Sequence, residues 1–168
     1  MSRDAQKSKV YSAEHFIWKL LDESGQFPTA EAFGSTVVLP PELRFGDLAA
    51  VQKYVNRVLA MPEVKDRWSR RASLPVVVRE RRGNAKAHYE YSRNVIAIPV
   101  TSRLRDDWAM REVVVLHEIA HHLSSVPDHG EEFVGILEFL LGLLLGPELG
   151  LLYADACHSC DVKWQRVV

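Results

Sequence analysis

The sequence predicts an α+β fold in a single domain, and three observations lead to this prediction. The chain has 168 residues, of which 47% are hydrophobic, an ordinary composition for a soluble globular domain with its own core. Apolar residues recur at helical spacing toward both ends of the chain. Between them, residues 74–99 contain short β-rich runs. We therefore expect one domain over residues 1–168, with helices, a three-stranded antiparallel meander and further helices.

Three elements are predicted before the β-rich part. Apolar side chains at helical spacing indicate two amphipathic helices, and a short β-branched run closed by Pro40-Pro41 indicates an extended segment between them. Ser12 is interpreted as the cap of the first helix, which Gly25–Pro28 ends. The predicted elements are a helix over 11–22, the extended segment 35–39 and a helix over 48–59 that stops near Met61-Pro62.

The meander and the last helices follow from turn and cap residues. Three β-rich runs are separated by Gly83-Asn84 and by residues 92–94. Asp128, with Glu131 three residues later, is a capping signature for an apolar helix. That helix is too short for a membrane span, which needs about 20 apolar residues. The predicted elements are strands near 76–78, 87–91 and 95–98, a long helix from Thr101-Ser102 to about 124, the apolar helix to 145 and a short helix over 147–156.

One motif in the predicted long helix contains the candidate metal ligands and the candidate base. In His117-Glu118-Ile119-Ala120-His121, the four-residue step advances about 40° past one helical turn, so both imidazoles project from the same face. Glu118 lies about 100° around the helix, which suits a base acting on metal-activated water better than a third ligand. Neutral imidazoles with an open coordination position favour Zn²⁺. These polar groups would also be costly to bury in an apolar helix without a partner.

His129 is the predicted third ligand. It follows soon after the motif helix ends, and Gly130 permits close backbone approach. A downstream glutamate is the alternative ligand, and Glu138 is notable because it interrupts an apolar face. His122 is expected to be a surface group or to support a ligand, and Asp128 to orient an imidazole or cap the next helix. The candidate glutamates are Glu131, Glu132 and Glu138.

The motif resembles a known family. His117–His121 followed by His129-Gly130-Glu-Glu-Phe133 is similar to the zincin metallopeptidases, especially the SprT-like and minimal gluzincin-like group, whose pattern is H-E-x-x-H and then H-G-x-x-[FW]. Residues 94–99 resemble the segment that precedes the motif helix in that group. More narrowly, the chain resembles an actinobacterial family of metallohydrolases known mainly from sequence. The match spans about residues 74–145, the expected catalytic core.

The resemblance implies a zincin-like fold and a zinc metallopeptidase. In such an enzyme, His117, His121 and His129 would bind Zn²⁺, and Glu118 would be the general base for a zinc-activated water that hydrolyses peptide bonds. A strand at the cleft edge would pair with an extended peptide or protein substrate, near Tyr89 or Tyr91. Two alternatives remain open. One is a metal-dependent endoribonuclease with a three-histidine site, whose family typically has glycine after the first histidine, and the other is a non-catalytic module stabilised by zinc.

The net charge of −1 arises because a basic segment and an acidic segment cancel each other. Residues 65–105 hold 11 basic and 3 acidic residues, whereas residues 106–168 hold 3 basic and 11 acidic ones. The acidic segment favours a dication and opposes polyanionic substrates. Nucleic acid binding is therefore limited to Lys65–Arg105, where a basic hairpin tip is expected. The favoured explanation of the two opposite charges is that the basic and acidic segments attract each other within the fold. The tip consists of Arg79, Arg81, Arg82 and Lys86.

Location and cysteine chemistry are the remaining expectations. The polar N-terminal residues contain no secretory apolar core, so we expect a cytoplasmic protein without a membrane partner. Cys157 and Cys160 are then expected to be thiols. A single C-x-x-C is only half of a structural zinc site. The oligomeric state is not predicted.

Overall fold

The computed structural model describes residues 4–23, 29–32, 34–83, 86–100 and 108–168. The described part confirms the α+β prediction, because helices and a small mixed sheet alternate along it. The helices are α1 (Lys7–Glu23), α2 (Leu48–Ala60), α3 (Pro62–Ala72), the 3₁₀ helix Trp108–Met110, α4 (Glu112–Leu123), α5 (Glu131–Leu145) and α6 (Pro147–Ser159). The strands are β1 (Thr29–Ala32), β2 (Ser35–Val38), β3 (Val77–Arg81), β4 (His88–Glu90) and β5 (Val95–Pro99).

Some predicted boundaries fall outside these described residues. They are the end of the first helix at Gly25–Pro28, the turn residue Asn84 and the start of the long helix at Thr101-Ser102. The long helix is shorter than predicted, because Arg111 is extended and separates the 3₁₀ helix from α4, which begins at Glu112. Ser12 is not a cap, since α1 begins at Lys7 and the Ser12 hydroxyl donates to the Ser8 carbonyl within the helix. Among the described helices, none combines the length and apolar character that a membrane crossing requires.

The described chain divides into two compact units. The terminal unit comprises Met1–Glu42 and Asp128–Val168, and the central unit comprises Leu43–Pro127. In the terminal unit, α6 packs against both α1 and α5. The predicted extended segment is β2, which pairs with β1 in an antiparallel hairpin. The core of this unit includes Ile17, Phe133, Ile136, Leu137, Leu140 and Tyr153.

Two glycines allow neighbouring backbone segments of the terminal unit to approach each other closely. A Cβ atom at Gly150 in α6 would lie 3.1 Å from the Cα atom of Gly142 in α5. A Cβ atom at Gly135 would lie 1.9 Å from the carbonyl oxygen of Gln165, whose backbone N–H donates to the Glu131 carbonyl at 3.1 Å. The segment after α6 therefore runs against α5 at a distance that only glycine permits.

The sheet of the central unit corrects the predicted meander. Its order is β3-β5-β4, and β3 pairs parallel with β5, whereas β4 pairs antiparallel with β5. An antiparallel three-stranded meander is therefore wrong for the β3–β5 pair. The physical reason is that β5 (Val95–Pro99) is the most buried strand, and the central position gives its backbone partners on both sides.

The second correction is α3, which the sequence reading missed. Pro62 was interpreted only as the end of α2, which does stop at Ala60. In the structure Pro62 also opens α3, at the first helical position, where its missing N–H costs nothing. At the other end of α3, Arg71 bonds to groups on α4 and β4, as described below.

The central unit fixes the start of α4 firmly. The Glu112 carboxylate accepts a hydrogen bond from the Leu43 N–H at 2.9 Å and another from the Tyr54 hydroxyl. The Glu112 N–H in turn donates to the Leu43 carbonyl at 3.0 Å. Every residue of α4 is buried. The helix that carries the H-E-x-x-H motif is thus a core element, anchored at its first residue.

Candidate metal centre

Two histidines of α4 lie one helical turn apart on the same face. The ring centroids of His117 and His121 are 4.9 Å apart, and both side chains are buried. This is the placement that the four-residue spacing predicts, because α4 is regular from Glu112 to Leu123. Glu118 is also buried, one position after the first histidine and about 100° around the helix.

His129 completes a group of three possible metal ligands. One ligand atom from each of His117, His121 and His129 lies within 4.8 Å of the others, and all three residues are buried. In a tetrahedral zinc site with Zn–N distances of about 2.0–2.1 Å, ligand nitrogens are roughly 3.3 Å apart. The group could therefore bind a metal ion, and it is the one such group among the described residues.

A carboxylate that the sequence reading missed holds His129. Asp4 Oδ2 lies 2.6 Å from His129 Nδ1, and Asp4 Oδ1 accepts the backbone N–H of His129 at 3.2 Å. Gln6 Nε2 donates to the His129 carbonyl at 2.9 Å. Asp4 and His129 are 125 residues apart in sequence, so no local pattern links them.

Asp128 does not orient the imidazole. Its Oδ1 accepts the Gly130 N–H at 2.9 Å, which closes a tight turn before α5. The predicted cap of α5 at Asp128 is also wrong, because Gly130 is the N-cap residue and makes no side-chain cap bond. Asp128 shapes the loop that carries His129, while Asp4 binds the ring itself.

The glutamates proposed as alternative ligands do not join the three-histidine group. Glu138 instead accepts hydrogen bonds from Trp164 Nε1 at 2.9 Å and from Arg166 Nη2 at 3.0 Å. A buried carboxylate in an apolar helix needs such partners. Its role is to fix the C-terminal segment to α5.

His122 is a buried hydrogen-bonded group. Its Nε2 lies 2.7 Å from the Arg71 carbonyl, and its Nδ1 lies 2.8 Å from the Tyr89 hydroxyl. Burial lowers the pKa of His122 to about 4, so the ring is neutral near pH 7. A carbonyl can only accept, so Nε2 carries the proton and Nδ1 is left as an acceptor. The single proton of the Tyr89 hydroxyl has two acceptors within reach, His122 Nδ1 and Asn94 Oδ1, each at 2.8 Å. The expectation of a surface position is wrong, and both ring nitrogens are used by the protein.

The same network accounts for Arg71 and the two tyrosines. Arg71 Nε donates to the His122 carbonyl at 2.6 Å and Arg71 Nη2 to the Tyr89 hydroxyl at 3.0 Å, while its guanidinium stacks over the Tyr91 ring. The Tyr91 hydroxyl donates to the Ser125 carbonyl at 2.6 Å. Tyr89 and Tyr91 therefore tie β4 and the following turn to the end of α4.

The remaining candidates have structural partners or are buried. Arg79 pairs with Glu90, and Arg81 donates to the Lys86 carbonyl, so part of the basic hairpin is engaged within the central unit. Cys157 and Cys160 are free thiols, and burial raises the pKa of Cys157 to about 12. Neither cysteine belongs to the three-histidine group.

No family model, curated protein or solved structure matches this chain. Any functional assignment therefore depends on the residues of the site themselves.

Proposed function

We propose that this chain is a zinc-dependent metallohydrolase that cleaves peptide bonds, with Glu118 as its general base. The observation that carries the proposal is the buried group of His117, His121 and His129, with Glu118 next to the first of them. Three imidazoles and one open position are the donor set of catalytic zinc sites. Structural zinc sites are usually closed by four protein ligands, most often including cysteine.

Each residue of the site has a distinct task in this proposal. His117, His121 and His129 would hold the metal, and a bound zinc ion would lower the pKa of water at the site and polarise the substrate carbonyl. Glu118 would take a proton from the attacking water and return it to the leaving amine. Its burial in α4 limits the access of bulk water to that proton.

Charge and residue identity favour a peptide over a nucleic acid. Residues 106–168, which include all three histidines, contain 11 acidic and only 3 basic residues, which would repel a polyanion. The presence of Glu118 also supplies a carboxylate base, where the three-histidine ribonuclease pattern has glycine. A neutral peptide bond does not meet this electrostatic barrier.

The test compares wild type, Glu118→Gln and Glu80→Gln. Glu80 is an exposed glutamate of β3, so its replacement makes the same chemical change away from the site. Each protein is loaded with zinc, the metal is measured by mass spectrometry, and cleavage is profiled on an unbiased peptide library. We expect one zinc per chain in all three proteins and a loss of cleavage of about 100-fold or more in Glu118→Gln alone.

Three results would overturn this proposal. Unchanged peptide cleavage in Glu118→Gln would exclude the assigned base. Zinc-dependent RNA cleavage that persists without Glu118 would indicate the ribonuclease. Unfolding on chelation, with no turnover of any peptide, would indicate a zinc-stabilised module.

A further inference from the structure

We propose that Asp4 is a positioning residue that orients His129 for metal binding. This inference rests on the proposed zinc site and adds to it a residue far from the motif. Asp4 does not belong to the group of ligand atoms itself. It acts on His129 alone, through two hydrogen bonds made by one carboxylate.

The two bonds fix the residue in two ways. The bond from Asp4 Oδ1 to the backbone N–H of His129 sets the position of the main chain, and the bond from Oδ2 to Nδ1 sets the rotation of the ring. The ring is further confined by Tyr11 and Phe133, whose centroids lie 5.3 and 4.8 Å from that of His129. The imidazole is thus held in one orientation before any metal arrives.

The contact with Asp4 also selects the tautomer. A carboxylate can only accept, so the proton of the neutral imidazole must be on Nδ1. The lone pair is then on Nε2, which becomes the atom able to bind a metal. Carboxylates that accept from a liganding histidine in this way also raise the basicity of the ligand, and their loss typically costs 10–100-fold in metal affinity.

His129 needs such an anchor more than the other two histidines do. His117 and His121 are set by a regular helix that is buried along its whole length. His129 lies in a turn before α5 begins at Glu131, outside any regular helix. Asp4 supplies an acceptor for the backbone N–H of His129 from the segment that precedes α1.

Gln6 provides a matched control, because it binds the same segment without touching the ring. Gln6 Nε2 donates to the carbonyls of His129 and Lys163, each at 2.9 Å, and Gln6 Oε1 accepts the Lys163 N–H at 3.1 Å. Gln6→Ala should therefore loosen the segment before α1, while leaving the Asp4 carboxylate on Nδ1. A role of Asp4 that is only structural would make the two variants alike.

The experiment measures zinc affinity by chelator competition in the full chain for wild type, Asp4→Ala, Asp4→Asn and Gln6→Ala. We expect Kd to rise 10–100-fold in Asp4→Ala. The rise should be smaller in Asp4→Asn, whose single amide oxygen can still accept from Nδ1. In Gln6→Ala we expect Kd to stay within about threefold of wild type, even if the melting temperature falls.

A second readout does not depend on metal. Long-range ¹H–¹⁵N spectra of the metal-free protein should show His129 protonated on Nδ1 in wild type and in Gln6→Ala, and shifted toward Nε2 protonation in Asp4→Ala. Tight zinc binding with an unchanged Kd in Asp4→Ala would overturn the role of Asp4 and leave the proposed function intact. Failure of the wild type to bind zinc would overturn both. Equal losses of affinity in Asp4→Ala and Gln6→Ala would show a general structural effect and also overturn the inference.

Discussion

Helix α4 and the segment around His129 place their histidines by different means. In α4, the spacing of His117 and His121 and the burial of the whole helix set both rings. His129 lies outside regular structure and depends on Asp4, which is 125 residues away in sequence. The comparison indicates that a helix can encode two candidate ligands in five consecutive residues, whereas a candidate ligand in a turn is held by a partner from elsewhere in the chain.

Removal of a ring from α4 gives the largest expected effect. In His121→Ala, the site retains two of its three imidazoles, and we expect bound zinc to fall from about one equivalent to near zero after dialysis. His158→Ala replaces an exposed histidine of α6 and should retain full zinc. Metal analysis of the dialysed proteins measures this difference. Retention of zinc by His121→Ala would show that the α4 pair is not the centre of the site.

A substitution in α5 tests how rigidly the segment after α6 is held. In Gly135→Ala, the new methyl group would meet the Gln165 carbonyl oxygen at 1.9 Å, so the backbone must move. We expect a loss in the free energy of unfolding of about 3 kcal/mol. Gly46→Ala places its methyl group in open space and should change stability by less than about 1 kcal/mol. Chemical denaturation compares the two, and equal stabilities would contradict the close approach at Gly135.

The hydrogen bonds that join Arg71, Tyr89 and Tyr91 to the end of α4 are expected to affect stability and not metal binding. Tyr89→Phe removes the hydroxyl that lies 2.8 Å from both His122 Nδ1 and Asn94 Oδ1, and the loss of these part-buried bonds should cost about 1–3 kcal/mol. Tyr91→Phe removes a bond at an exposed carbonyl and should cost less. Denaturant melts measure the stability, and zinc analysis measures the site. A loss of zinc in Tyr89→Phe at full stability would contradict the separation of these roles.

The mildest test needs no substitution and follows thiol labelling against pH. Because burial raises the pKa of Cys157 to about 12, its thiolate fraction in the folded protein stays small at pH 8 and continues to rise well above pH 9. We expect one fast-reacting thiol per folded chain at pH 8, assigned to the partly exposed Cys160 by mass spectrometry, and two in denaturant. Rapid labelling of Cys157 in the folded protein at pH 8 would contradict its burial.

Much of the candidate site was readable from sequence because it depends on neighbours along the chain. The spacing of His117 and His121 is a property of any α-helix, and His129 follows after a short turn. Asp4 was not predictable, since its contact with His129 is made only when distant segments meet. His122 showed the same limit, because its partners Arg71 and Tyr89 lie on other elements.

The fold, like the site, was predictable only where it depends on local sequence. Local patterns predicted the positions of α2, α5 and the β-rich runs, but strand pairing is not local. The partner of β3 is β5 and not the next strand, so the antiparallel meander was wrong. The helix α3 was missed because a proline both ends one helix and begins another, and the sequence alone did not show which role applied at Pro62.

The central claim is that three imidazoles of this chain bind one zinc ion. X-ray absorption at the zinc edge of the protein loaded with one equivalent tests it most directly. We predict three imidazole nitrogens and one further nitrogen or oxygen atom at about 2.0–2.1 Å, with no sulfur. A fit that requires sulfur at about 2.3 Å, or fewer than three imidazoles, would contradict the claim.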